Sequence, residues 1–87
     1  MSEIRERILE QYSDEQIKFA DGFDAAILGI HDNFTPKPRV VYSKNECLII
    51  LMRRDGMDYE MALEFFDFNI SGAYVGEDTP IWCDDTF

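Results

Sequence analysis

The sequence predicts one small α+β domain spanning residues 1–87. Three observations point there. Apolar residues recur at helical spacing near the N-terminus and again over residues 59–70. Short apolar and β-branched runs flank a proline-bearing loop between residues 25 and 42. And 87 residues leave room for a single domain. The expected architecture is two N-terminal helices, a short antiparallel strand pair, a helix-turn-helix pair, and a short C-terminal strand or tail, with the helices on one face of the sheet.

The first helix is expected over residues 2–12. Ser2 is a fair N-cap, Glu3 suits the first turn, and Ile4, Ile8, Leu9 and Tyr12 share one face. Ser13 opens an S-x-x-Q capping box, and Ile17, Phe19 and Ala20 fit a second short helix stopped at Asp21-Gly22. Residues 25–30 read as a short buried strand. Residues 31–38 hold two prolines and an Asp-Asn pair, and read as a loop. Arg39-Val40-Val41-Tyr42 is the second strand.

Residues 46–54 suit either a strand, through Ile49-Ile50, or a helix. The helix is favoured. Ser43-Lys44-Asn45-Glu46 is an S-x-x-E capping box, Arg53 and Arg54 fall in the last turn, and Gly56 follows as a stop. Its apolar residues run nearly all round, so it should be largely buried. Asp58 caps the next helix. Tyr59, Ala62, Leu63, Phe66 and Ile70 form one apolar stripe, and Met61, Phe65 and Phe68 form a second. Glu60, Glu64 and Asp67 make an acidic stripe beside them. Ser71-Gly72 ends the helix, residues 76–80 turn, and Ile81-Trp82-Cys83 is a strand or docked tail.

Charge is unevenly spread. The formal net charge is −10, and residues 58–87 carry eight acids with no Lys or Arg. Such a field repels phosphate backbones and anionic membranes, so no direct nucleic-acid or membrane partner is expected. It attracts a basic protein surface, although the same charge also serves plain solubility. No apolar run approaches the about 20 residues of a membrane span, and residues 1–10 are half charged, so no signal peptide is expected. Cys47 and Cys83 form no CxxC, which suits a reducing compartment. Cys47 reads as a buried small hydrophobe, and the acids after Cys83 disfavour its thiolate.

No phosphate-binding loop, dinucleotide fingerprint, nucleophile elbow or Cys/His pairing occurs, so no enzyme activity and no cofactor are expected. His31, the single histidine, has Asp32 beside it and could serve a metal or a base; an exposed loop histidine explains it equally. Asp84-Asp85 with Glu77-Asp78 lacks the spacing of a calcium loop, so no metal site is expected.

The C-terminal part carries a distinctive run. Gly56-Met57-Asp58-Tyr59-Glu60 is followed by Ala62-Leu63-Glu64-Phe65-Phe66, Phe68-Asn69, Gly72-Ala73-Tyr74-Val75-Gly76-Glu77 and Thr79-Pro80. Over roughly residues 42–81 this resembles a family of small proteins in bacteriophage genomes. The resemblance implies a phage origin and expression inside a bacterial host cell, hence a cytoplasmic location. It transfers no catalytic residue and no mechanism. Physically, the run also fits a demanding helix–turn–strand junction. There Asn69 would bond backbone groups at the helix end, and Gly72 and Gly76 would supply positive φ.

These readings combine into an expected function. The protein is a small acidic, non-enzymatic accessory protein that binds a basic host protein, nucleic-acid-binding proteins included, as an inhibitor or DNA mimic for example. The expected partner-binding residues are Glu60, Met61, Glu64, Phe65, Asp67 and Phe68 on the helix, with Tyr74, Glu77 and Trp82 bordering them. An apolar centre with an acidic rim is interface anatomy; burial of both apolar stripes in the core is the competing reading. Two alternatives remain open. One is a self-associating protein with Met61, Phe65 and Phe68 at a homodimer contact. The other is a small-ligand or metal binder with His31, Asp32, Tyr42 and Trp82 near one pocket.

Overall fold

Strand β2 (Arg39–Ser43) is the centre of a three-stranded sheet. A computed structural model of the chain describes residues 3–12, 17–32, 37–72 and 79–87. On one side of β2, β1 (Ile27–His31) pairs antiparallel, from Ile27 opposite Tyr42 to His31 opposite Arg39. The register slips between Ile27 and Gly29, which places Leu28 at a bulge and leaves it exposed. On the other side, β3 (Ile81–Cys83) runs parallel, with Tyr42 opposite Trp82. A parallel neighbour requires a crossover. Helices α2 (Lys44–Asp55) and α3 (Tyr59–Phe65) supply it.

Both favoured helix signals at this crossover are used. Ser43 Oγ accepts the Glu46 N–H at 3.0 Å, and Asp58 Oδ1 accepts the Met61 N–H at 2.8 Å. Gly56 ends α2 at φ 70°, a left-handed position where a β-carbon is costly. Residues 46–54 are thus helical, and the helix begins two residues earlier than expected. Cys47, Leu48 and Leu51 are fully buried, with Ile50 and Met52 packed partly against them.

The N-terminal half differs from expectation. Helix α1 (Glu3–Gln11) forms and buries Ile8. The second N-terminal helix is absent over its described part: residues 17–20 are non-helical, and residues 13–16 lie outside the described set. The reason is tertiary. The buried Tyr42 hydroxyl accepts the Ala20 N–H at 2.7 Å, so the backbone donates across the core rather than along a helix. Asp21-Gly22 turns as expected, with Gly22 at φ 89°. A single 3₁₀ turn (Asp24–Ala26) then leads into β1, which therefore starts at Ile27 rather than Ala25.

One core joins these elements. Ile8 of α1, Phe23, Val40 and Tyr42 meet the buried faces of α2 and α3, with Ala62, Phe66 and Ile70 completing it. Val40, Tyr42 and Leu48 are completely buried. Arg39 fastens the approach to β3, donating from Nε to the Thr79 carbonyl at 2.6 Å and from its guanidinium to Thr79 Oγ1 at 3.1 Å.

Candidate functional site

Helix α3 does not end as an ordinary α-helix. Residues Phe66–Ser71 continue it as a π-helix, closed by the Gly72 N–H donating to the Asp67 carbonyl at 3.1 Å. Such segments are rare and recur at functional sites. Gly72 permits the closure sterically. Its φ is −73°, so the expected positive φ is not the reason for glycine here. A β-carbon at this position would lie 3.0 Å from the Asp67 carbonyl oxygen and 3.3 Å from that of Phe68. Gly76 lies outside the described residues.

The two apolar stripes separate cleanly. Ala62, Phe66 and Ile70 are buried and Leu63 is half-buried, while Tyr59, at the start of that stripe, is exposed. The second stripe faces outward: Met61 is 55% exposed, Phe65 37% and Phe68 75%. These residues are not core. With Met57, Glu64 and Asn69 they line an open groove of about 300 Å³.

Met57 and Asn69 were not expected at this site. Met57 lies before the Asp58 cap, outside the helix, so helical spacing carries no signal for it. Asn69 was expected to satisfy backbone groups at the helix end; instead it is exposed and joins the groove wall. Sequence spacing alone does not reveal this, because the π-helical turn changes which residues share a face.

The acids beside the groove are unneutralised. Glu60, Glu64 and Asp67 are exposed, and among the described residues none of them forms an ion pair. Glu60 and Glu64, one helical turn apart, repel mildly. Other C-terminal acids have structural work. Asp58 caps α3. Asp84 accepts both the N–H and the hydroxyl of Thr86. Asp85 accepts the Ser43 hydroxyl and the Asn45 N–H. The carboxyls of Asp84 and Asp85 are held below the usual range, in each case chiefly by the side-chain hydrogen bond they accept. Asp84-Asp85 is therefore an anchored segment rather than a purely solvated tail.

Of the expected partner-binding residues, Met61, Glu64, Phe65 and Phe68 line the groove, and Glu60 and Asp67 are exposed on the same helical segment. Trp82 is placed elsewhere. It is half-buried against the core, its ring 5.1 Å from Tyr42 and edge-on to Phe66 at 5.4 Å. It has become a packing residue because β3 inserts beside β2. Tyr74 and Glu77 lie outside the described residues.

The alternative pocket of His31, Asp32, Tyr42 and Trp82 does not assemble. Tyr42 and Trp82 face each other across β2 and β3, whereas His31 pairs with Arg39 at the far end of the strand pair. Asp32 instead accepts the Tyr12 hydroxyl at 2.7 Å. Among the described residues, no group of three or more His, Cys, Asp or Glu side chains could hold a metal. Cys47 is buried, and burial pushes its thiol up to about 12. Such a group is no nucleophile at neutral pH. Among the described residues, no helix is long and apolar enough to cross a membrane.

No family model, curated protein or solved structure matches the chain. The groove and its acidic border are therefore the functional evidence.

Proposed function

We propose that the protein is a non-enzymatic, phage-type accessory protein of the bacterial cytoplasm, which binds a basic host protein through the outer face of α3. The observation that supports this reading is the open groove of Met57, Met61, Phe65 and Phe68 with Glu64 in its wall, on a segment that also exposes Glu60 and Asp67, none of the three acids being ion-paired among the described residues. Exposed apolar surface with a polar border is the composition of a contact site. The carboxylates supply sign selectivity and a faster encounter with a cationic surface.

DNA mimicry is the less favoured form of this function. From residue 60 to residue 67 the helix advances about 10 Å, over which B-DNA presents about six charges. This face presents three carboxylates, interleaved with apolar side chains. It suits a mixed apolar–basic surface better than a phosphate-binding channel.

The test is capture from bacterial lysate across a salt series, wild type against Glu60→Lys/Glu64→Lys/Asp67→Lys. A basic partner held by the wild type, released at moderate salt and lost from the triple variant supports the reading. Capture unchanged by charge reversal sinks it.

Self-association is the second reading, favoured by the exposure of Met61 and Phe68. A net charge of −10 on each copy opposes it. Light scattering of concentrated protein at low and high salt separates the two.

A further inference from the structure

The groove runs along one helical segment, with Met57 just before its cap, and that limits what fits it. Its lining side chains fall at positions 57, 61, 64, 65, 68 and 69. From residue 61 on, these are the i, i+3 and i+4 ridges into which the side chains of a second helix interdigitate. The α and π segments together span residues 59–71, about 20 Å of axis. A facing helix of three to four turns would cover it.

Charge decides between occupants. A second copy of this chain would bring its own Glu60, Glu64 and Asp67 to the contact, and residues 58–87 contain no Lys or Arg to meet them. A cationic helix meets them favourably. We infer that the occupant of the groove is an amphipathic basic helix of the partner protein, about 13 residues long, with apolar side chains at i, i+3 or i+4, and i+7 and with Lys or Arg alongside. This rests on the reading of the face as a binding site for a basic protein. It adds the conformation and the residue pattern of the segment that binds. One large apolar side chain enters between Met61 and Phe65. The flanking cations reach Glu60, Glu64 and Asp67. The π-helical turn holds Phe68 and Asn69 at the far end, while Phe66 and Ile70 stay in the core.

The experiment is selection from a random fourteen-residue peptide display library. Wild-type protein is the bait, and the Phe65→Asp/Phe68→Asp variant serves for counter-selection. Circular dichroism of both proteins establishes that the variant is folded. Enriched sequences carrying apolar residues at helical spacing with adjacent Lys or Arg are the expected result. Their synthetic peptides should lose affinity tenfold or more toward Glu64→Lys and toward Phe68→Asp, and should perturb NMR amide signals of residues 57–69. Enriched basic sequences without helical spacing, bound at the same amides, would overturn the helix and leave the basic-partner reading standing. Enrichment that survives counter-selection, or enrichment of sequences lacking Lys and Arg, overturns both.

Discussion

The Ser43 hydroxyl donates to Asp85 Oδ2 at 2.5 Å while accepting the Glu46 N–H at 3.0 Å. One buried hydroxyl thus joins the end of β2, the first turn of α2 and the segment after β3. The carboxylate also sits at a helix N-terminus, where negative charge is favoured. Ser43→Ala should cost about 1 kcal/mol through the lost cap, lowering Tm by roughly 4–8 °C. Asp85→Asn keeps the shape and removes the charge. A carboxyl held below its ordinary value contributes stability above that value and loses it as pH falls through the folded-state pKa. Wild type should therefore lose stability below about pH 4, and Asp85→Asn should flatten that acid limb. Thermal melts from pH 2.5 to 7 measure both; an acid limb unchanged in the variant would refute the role.

Tyr42 is completely buried, and its hydroxyl accepts the Ala20 N–H. Tyr42→Phe retains the ring contact with Trp82 but leaves a buried donor without its acceptor. The expected loss is about 1–3 kcal/mol. It should appear in urea unfolding as a lowered midpoint with unchanged slope. Amide exchange at Ala20 should accelerate beyond the global change, since the N–H would have lost its partner.

Alkali should destabilise the fold through two buried groups. Burial pushes both Tyr42 and Cys47 up to about 12. A group whose folded pKa is raised contributes stability below its unfolded value, lost as pH rises through the folded value. The loss should begin near pH 9 with Cys47, and Cys47→Ala should make it begin about one pH unit higher, where Tyr42 takes over. A thiol reagent at pH 8 should modify the exposed Cys83 in the folded protein and Cys47 only on unfolding. Two equally fast thiols in the native protein would contradict this packing.

Phe66 and Phe68 are two residues apart and should behave oppositely. Phe66 is 2% exposed and packs edge-on against Trp82, so Phe66→Ala should cost about 3–5 kcal/mol. Phe68 is 75% exposed, and Phe68→Ala should change stability by less than about 0.5 kcal/mol. Chemical denaturation of the two variants checks the contrast. A large loss at Phe68 would mean that the groove belongs to the core.

Most local structure around the crossover was legible in the sequence because it is written in local chemistry. The N-caps of Ser43 and Asp58 accept N–H groups three residues on, and Gly56 stops α2 where it stands, so these capping roles survive folding unchanged. The outward stripe was legible by spacing. What failed depended on distant partners. Residues 17–20 match a helix pattern, yet Ala20 donates to a tyrosine 22 positions away. Ile81-Trp82-Cys83 reads equally as a strand or a docked tail, and Trp82 as the border of a partner site, until β3 enters the sheet next to β2. The work of Asp85 was invisible because its partners, Ser43 and Asn45, are some forty residues earlier. The π-helical turn leaves a trace in sequence only as Gly72, whose meaning depends on a carbonyl five residues back.

The parallel pairing of Val41 with Ile81 sets a schedule for synthesis. Forty residues separate these partners. At ribosomal rates of roughly 5–20 residues per second, β2 emerges about 2–8 s before the strand that will cover its second edge. During that interval β2 has β1 on one side and open amide and carbonyl groups on the other, the arrangement that recruits stray strands. The intervening helices carry strong caps of their own, so they can form as they appear and shorten the loop that β3 must close. A nascent chain stalled before residue 81 would therefore be the species most prone to aggregate.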